Sequence, residues 1–376
     1  MPSAQGIRLS QFLTRHRHKK HVVPFLDIYG YNLDVPSTEK TLCKIDSLKK
    51  EIQRLRPIRA DLIPLLREKL RIEWIFHSNA IEGNSLTLGE TTFFLREGLT
   101  SEGKPLKDFL EAKNHVEALD GLEDIVAKKR PITESLIKEL HAVLLREIRF
   151  TEARGSNGRR IKKPLHPGQY KIRPNHVLTL SGKIHRYTDP LHVKDEMEEL
   201  VRWSYQAIHP VKKAAEFHYR FVAIHPFDDG NGRLARILMN LILIKDGYPP
   251  CIIRNEQRKK YLSSLEIADF KKDITPFIDF VMQELLVTMQ TVYDVLTGQE
   301  TMILEEKQNL NRIEREALVL KFLKDKPKSI QQIQLLLPEI KRPTLKSDLQ
   351  RLVKSRKILK KGVRKGTLYF KPRYCI

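Results

Sequence analysis

Within twelve residues, His225-Pro226-Phe227-Asp228-Asp229-Gly230-Asn231-Gly232-Arg233-Leu234-Ala235-Arg236, the chain gathers an imidazole, two carboxylates, two glycines, an amide and two guanidinium groups. Gly230 and Gly232 let the backbone turn tightly and come close to a ligand. A helix starting near Gly232 aims its unpaired N–H groups at whatever sits before it. Such a row of amides forms an anion-binding concavity. Arg233 and Arg236 add fixed positive charge suited to phosphate oxygens, and Asp229 supplies a hard oxygen of the kind Mg2+ takes alongside substrate phosphates. Together they predict a triphosphate–metal site. The pattern GxxxxGK[ST] is absent, so a P-loop does not hold the nucleotide. His225 stands directly before this site, where an imidazole titrating near neutrality can take the proton from an attacking hydroxyl. Taken alone, a His before Pro more often ends a helix than acts as a base. The Asp-Gly-Asn-Gly-Arg run that follows favours the base.

The elements that must position these groups are mostly helices. From Leu42 to Phe76 apolar residues recur at helical spacing, interrupted near Pro57 and Pro64. Further helices are expected at about 86–98, 105–127, 133–149, 192–209, 211–224, 232–247 and 276–297. The stretch Leu234–Ile244 is apolar on nearly every face, which predicts a helix at the centre of a core. Residues 151–190 change to Gly, Pro and β-branched types, with Ser181-Gly182 as a turn signal, and predict one hairpin.

HPFDDGNGRLAR matches the signature HPFx[DE]GN[GK]RxxR at every defined position, and in this the sequence resembles the Fic (Fic/DOC) family over roughly residues 70–297. The resemblance implies an all-α fold, a Fic-type helical bundle with a small β-hairpin flap. The activity it implies is transfer of AMP from Mg-ATP to a Ser, Thr or Tyr hydroxyl of a target protein, or of the chain itself. His225 would be the base, Phe227 a core anchor for the loop and Asp229 the Mg2+ ligand. Asn231 and the amides of Gly230, Gly232 and Arg233 would cradle the α- and β-phosphates, and Arg236 would reach the γ-phosphate. The nucleotide site so implied also takes in Leu234, Ala235, Tyr261, Leu262 and the flap residues Val177, Leu178, Thr179 and Leu180, along which a target peptide would add by main-chain hydrogen bonds. Leu262 and Asp269 stand where related enzymes often have a second aromatic and an Asn near the adenine.

Upstream, Ser78-Asn-Ala-Ile-Glu82-Gly83-Asn84 matches the family's inhibitory pattern [ST]xxxE[GN]. The resemblance implies that a helix carries Glu82 to Arg236, where a carboxylate–guanidinium pair occupies the γ-phosphate position. Some relatives use the equivalent Glu to position a water that removes AMP. The plainer reading is that Ser78 caps a helix and Glu82 sits in its first turn.

The chain of 376 residues carries a net charge of +22, and residues 301–376 hold 20 Lys/Arg against 7 Asp/Glu. This segment reads as three short helices and a hairpin, the layout of a winged helix-turn-helix with Pro343–Ile358 in the recognition position. Lys341, Arg342, Lys346, Arg351, Lys360, Lys361, Arg364 and Lys365 could meet DNA phosphates. A protein-docking or dimerising module is the alternative. Domains are expected at 1–40 (a basic arm), 41–110 (helical, with the 78–84 motif), 111–298 (catalytic core) and 299–376 (winged helix). No apolar run approaches the roughly 18 residues of a membrane span, and the N-terminus lacks a signal-peptide pattern. Three separated cysteines suggest neither disulfides nor a zinc site. A cytoplasmic protein without a membrane partner is expected.

Overall fold

The computed structural model describes residues 37–298 apart from 59, 61, 99, 102 and 155–159, and in the C-terminal part residues 316, 319–320, 322–323, 327–337, 340–362 and 367–372. The basic arm expected over 1–40 lies outside the described residues except its last four, which are already helical. The elements are α1 (Ser37–Arg54), α2 (Leu62–Ile81), α3 (Leu88–Glu97), α4 (Leu106–Ala127), α5 (Glu134–Leu144), β1 (Phe150–Arg154), β2 (Arg160–Pro164), β3 (His176–Leu178), β4 (Ile184–Arg186), α6 (Val193–Trp203), α7 (Pro210–Ile224), α8 (Asn231–Lys245), α9 (Arg258–Lys271), α10 (Thr275–Thr297), β5 (Lys328–Ser329), α11 (Ile330–Leu336), α12 (Arg342–Lys354), β6 (Leu359–Lys361) and β7 (Leu368–Phe370). They fall into two compact units, Met1–Leu86 with Gly103–Leu296, and Thr87–Glu102 with Thr297–Ile376. Sequence reading grouped α3 with the N-terminal helices, but it belongs to the second unit.

In the first unit α8 is the centre. Leu234, Ala235, Ile237, Leu238, Met239 and Leu241 are fully buried, as a helix apolar all round must be. Each such large side chain contributes about 1.5–3 kcal/mol by leaving water. Helix α7 lies along it, and α2, α4 and α5 also touch it. Asn240 is tolerated in this core because its amide is bonded at both atoms: Nδ2 donates to the Cys251 carbonyl (3.1 Å) and Oδ1 accepts from the Cys251 N–H (2.7 Å). Pro210 opens α7 at a position where no N–H is needed, and His209 Nδ1 accepts from the Val211 N–H (3.3 Å). Thr133 caps α5 by accepting from the Leu136 N–H (3.1 Å).

Three local expectations change. Helix α5 stops at Leu144 rather than near 149; Glu147 takes a left-handed conformation (φ 66°) and the chain turns into β1. Two antiparallel hairpins replace the one expected: β1–β2 (Phe150 opposite Pro164) and β3–β4 (His176 opposite Arg186). The first is dominated by Arg and Lys, so no apolar alternation announces it. Helix α9 was not expected either. Its Arg258-Lys259-Lys260 start places cations at the positive end of the helix, against the dipole.

The second unit packs α3, α11, α12 and a three-stranded sheet of order β5-β7-β6. Its described core is Val319, Leu323, Ile333, Leu337, Ile340, Leu345, Leu349, Leu352 and Ile358. Both α3 and α11 begin with reciprocal capping boxes, Thr87 with Glu90 and Ser329 with Gln332. Lys341, Arg342, Lys346, Lys360 and Lys361 are exposed. Arg351 is instead committed to the buried Asp348 and to Glu316, which removes it from the expected set of phosphate contacts. Arg364 and Lys365 lie outside the described residues. No helix among the described residues is long and apolar enough to cross a membrane.

Burial holds three core histidines neutral. His115 is pushed down to about 3, with Arg233 adding to the effect, His141 to about 4, and His218 well below the usual range. The unfolded chain takes up protons near pH 6.5 at these positions and the folded chain does not, so stability falls as pH drops below that value. We expect the melting temperature to be level from pH 8 to 7 and to fall from 6.5 to 5, with a cost on the order of 2 kcal/mol per histidine at pH 5. A melting temperature unchanged down to pH 5, measured by circular dichroism, would contradict these assignments.

Candidate active site

His225 ends α7 in the left-handed region (φ 50°, ψ 59°), with its N–H bonded to the Phe221 carbonyl (3.0 Å). A non-glycine residue there costs about 1–2 kcal/mol. Helix termination, one of the two readings the sequence offers for His225, is what its backbone shows. The ring is half-buried, its Nδ1 lies 3.3 Å from the Val222 carbonyl, and Tyr187 stacks on it at 3.8 Å with an interplanar angle of 14°. A carbonyl can only accept, so Nδ1 carries the proton and Nε2 keeps a lone pair. Burial first and the Lys171 ammonium second push the imidazole down to about 3. It is therefore neutral, the form a general base requires.

The turn after His225 is pinned to the core by Phe227, which is fully buried and stacks on His141 at 3.7 Å and 9°. Asn231 closes the turn from within: Nδ2 donates to the Phe227 carbonyl (2.8 Å) and Oδ1 accepts from its N–H (3.0 Å). Gly230 caps α8 in a left-handed conformation (φ 76°). The first N–H paired inside the helix is that of Leu234, to Gly230 (3.0 Å). The preceding amides of α8 form the positive end of its dipole. Asp229 lies beside them. Burial works against its charge, but Arg233 (Nη2 to Oδ1, 3.5 Å) and the Thr151 and Gly230 hydrogen bonds outweigh it and hold the carboxyl below its usual value. Arg233 is buried against Glu111 (Nη1 to Oε1, 3.1 Å).

Arg236 is almost fully buried one turn further on. Its Nε donates to Ser78 Oγ (3.0 Å), Nη2 to the Ser78 carbonyl (2.7 Å) and to Glu82 Oε1 (2.8 Å), and Nη1 to Tyr261 Oη (3.5 Å). Ser78 is in the last turn of α2 and Glu82 just beyond its end, so neither caps a helix start. A carboxylate at the negative end of a helix is unfavourable by itself; the guanidinium gives it a reason to be there. Glu82 also overlies α8 so closely that a Cβ on Gly232 would come within 2.3 Å of its Oε1. Gly83 completes the turn with φ 96°, a conformation suited to glycine.

The Fic/DOC family model matches residues 131–243. A solved structure of a Fic domain containing signaling protein from Bacteroides thetaiotaomicron is 32% identical, with a TM-score of 0.60, covering 68% of this chain and 97% of that one. The chain belongs to the Fic/DOC family. Fic-1 (residues 134–508) from Caenorhabditis elegans is similar in structure too, at 26% identity and a TM-score of 0.58, over 70% of this chain and 73% of that one. Among curated proteins, the protein adenylyltransferase fic-1 of Caenorhabditis briggsae is 32% identical over 291 residues, 74% of this chain and 53% of that protein. The chain spans about half the length of the curated relatives it matches.

Of the residues singled out in this Fic/DOC chain, Ser78, Glu82, His225, Asp229, Gly230, Asn231, Gly232, Arg233, Arg236 and Tyr261 come together around the start of α8. Tyr261 is buried, and its hydroxyl lies between Arg236 and His218 Nε2 (3.1 Å). Leu262 follows it, half-buried on α9. The side chains of Leu234 and Ala235 are buried in the core. Val177 and Leu178 are exposed on β3, whose outer edge has no strand partner among the described residues, and Thr179 and Leu180 begin the turn to β4. The flap reaches the site through Tyr187, and Thr179 tethers it to α9 by donating to Glu266 (3.0 Å). Asp269, where relatives often have Asn, lies 3.4 Å from His185 Nδ1. Sequence reading missed Glu111, His141, Lys171, Asn175, Tyr187 and His218. They lie up to 114 positions before His225 or among ordinary helical residues, and no spacing rule connects them to it.

The pair Arg233–Glu111 gives a test of this packing. Glu111→Ala removes the nearer of the two carboxylates that pair with the buried Arg233 guanidinium, Asp229 remaining at 3.5 Å, and should lower the unfolding free energy by about 3 kcal/mol. Glu111→Gln, which keeps an acceptor for Arg233, should cost less than half of that. Urea titrations of both variants give the comparison, and equal losses would mean that the charge is not what matters.

Proposed function

We propose that the chain transfers AMP from Mg-ATP to a Ser, Thr or Tyr hydroxyl of a target protein, and that Glu82 restrains it by pairing with Arg236. The observation that carries this reading is the neutral His225 imidazole placed immediately before a helix N-terminus whose Arg236 is already engaged by a carboxylate. In the forward reaction Nε2 takes the hydroxyl proton, the oxygen attacks the α-phosphorus, and the bond to the β-phosphate oxygen breaks to release pyrophosphate. The amides of Gly230, Gly232 and Arg233 and the two guanidinium groups suit the phosphate charge. The donor set fits a metal that arrives with the triphosphate: Asp229 is a single carboxylate beside the nest, and Mg2+ commonly takes one or two carboxylates plus substrate phosphates. When bound, it would neutralise phosphate charge next to Asp229. The target strand would pair with the open edge of β3, and the chain's own hydroxyls are candidate acceptors.

A second reading, removal of AMP at the same site, draws on the half-exposed Glu82 carboxylate, of which only Oε1 meets Arg236. The other oxygen could orient a water. For the second unit we infer a winged-helix module that meets DNA through the exposed Lys341, Arg342 and Lys346 of the α12 start and Lys360 and Lys361 of β6.

The deciding assay follows label from α-32P-ATP with Mg2+ onto the protein and a cell lysate. Glu82→Gly should raise labelling about ten-fold or more by freeing Arg236, and Glu82→Gly/His225→Ala should abolish it. If Glu82→Gly labels nothing while the unaltered chain strips AMP from a modified protein, the removal reading replaces the first. For the second unit, Lys346→Ala should lower the slope of log K against log salt for duplex DNA by about 1; an unchanged slope excludes Lys346 from the contact.

A further inference from the structure

Lys171 is 3% exposed, yet its ammonium pairs with no carboxylate among the described residues. It donates instead to Asn175 Oδ1 (2.7 Å) and to the Ile224 carbonyl (3.2 Å). Only the more distant carboxylates of Glu196, Asp189 and Asp228 offset its charge, so it is costly to keep buried. The segment that carries it, residues 168–175, follows the His225 turn carbonyl by carbonyl. The Lys171 N–H donates to the Pro226 carbonyl (2.8 Å), and Asn175 Nδ2 donates to the Phe227 carbonyl (3.2 Å). At its start, the Gly168 N–H donates to His141 Nδ1 (2.8 Å), which obliges His141 to donate from Nε2 to the Asp229 carbonyl (2.9 Å). At its end, the Asn175 carbonyl accepts from the N–H of Tyr187 (3.4 Å), the residue stacked on the His225 ring.

A lysine at a helix C-terminus is ordinarily a surface group that neutralises the last carbonyls. Here the contacts go past the helix. Ile224 is its last residue, whereas Pro226 and Phe227 belong to the irregular turn, where the Asn231 side chain meets the Phe227 carbonyl and residues 171 and 175 supply the other donors. The turn has to be held from outside because His225 sits in a left-handed conformation that an L-residue does not choose.

We propose that Lys171 is a positioning residue for His225: with Asn175 it straps the 224–227 turn so that the imidazole is fixed beside the phosphate-binding amides before substrate arrives. Resting as it does on the AMP-transfer reading, the proposal adds to it a component outside the family signature. The nest amides at Gly230, Gly232 and Arg233 take no hydrogen bond from Lys171 or Asn175, whose contacts fall on Ile224, Pro226 and Phe227 beside His225, so the strap bears on the base more directly than on nucleotide binding. Loss of the strap should therefore show in turnover.

The test uses the full chain with Glu82→Gly as parent. Adding Lys171→Met should lower kcat about ten- to a hundred-fold, the scale of a small misplacement of a reacting group, while KM for ATP stays within about two-fold. Lys171→Arg keeps donors for both acceptors and should recover most of the loss. If Lys171→Met does not fold, Asn175→Ala removes the Phe227 contact and one of the two acceptors of the Lys171 ammonium and should lower kcat about three-fold. An unchanged kcat, or a loss shared between kcat and KM that Arg does not recover, overturns the proposal. A parent that transfers nothing defeats the transfer reading instead. The strap is then judged by the imidazole NMR resonances of His225, which move on Lys171→Met if the strap sets the ring and stay in place if it does not.

Discussion

The buried guanidinium of Arg236 constrains more of the first unit than any other group. It is delocalised and permanently charged, and it must be surrounded by acceptors once it leaves water. Helix α2 and the turn just after it provide three of them, Ser78 Oγ, the Ser78 carbonyl and the Glu82 carboxylate, and α9 provides the Tyr261 hydroxyl. Two helices distant in sequence are thereby fixed to α8 at its N-terminal end. Tyr261 passes the constraint to His218 on α7, where burial and the nearby Arg236 keep the imidazole neutral, so it can accept the hydroxyl proton. A single cation thus sets the relation between the motif helix and its neighbours.

The same arrangement accounts for the proposed restraint. Most contacts of Arg236 are to Ser78 and Tyr261, which keep it in place if Glu82 leaves. The Glu82 side chain is 38% exposed while Arg236 is 2% exposed, so the carboxylate is the movable partner of the pair. It overlies Gly232 at a separation no other residue type would leave free. In the proposed function a γ-phosphate and Glu82 compete for one guanidinium. That competition is decided by relative affinity and by what stabilises the α2 end, where Asn84 donates to Glu111 Oε2 (2.9 Å). Glu111 in turn pairs with Arg233, which links the Glu82 turn to the opposite face of the nest.

Much of the fold was legible because its periodicities are strong. The continuous apolar face of Leu234–Ile244 marked the core helix, and Ser181-Gly182 marked the β3–β4 turn. What escaped had weak local signals. Hairpin β1–β2 alternates charge rather than apolarity, and α9 begins with three cations where a helix favours acids. The placement of α3 with the second unit could not be read either, since its capping box and periodicity fit either neighbour.

The sequence by itself determined the chemistry of the candidate site. The twelve residues from His225 to Arg236 are local, and their glycines, amide and arginines have to form a turn into a helix N-terminus whatever surrounds them. It also singled out Ser78 and Glu82. Only the tertiary structure decided which helix end they occupy, that Leu234 and Ala235 are core, and that Glu111, His141, Lys171, Asn175 and Tyr187 complete the surroundings. The physical reason is that a turn held in a left-handed conformation and two buried guanidinium groups need partners from all sides. Those partners are chosen by where helices and loops meet in space, a relation that residue spacing along the chain does not encode.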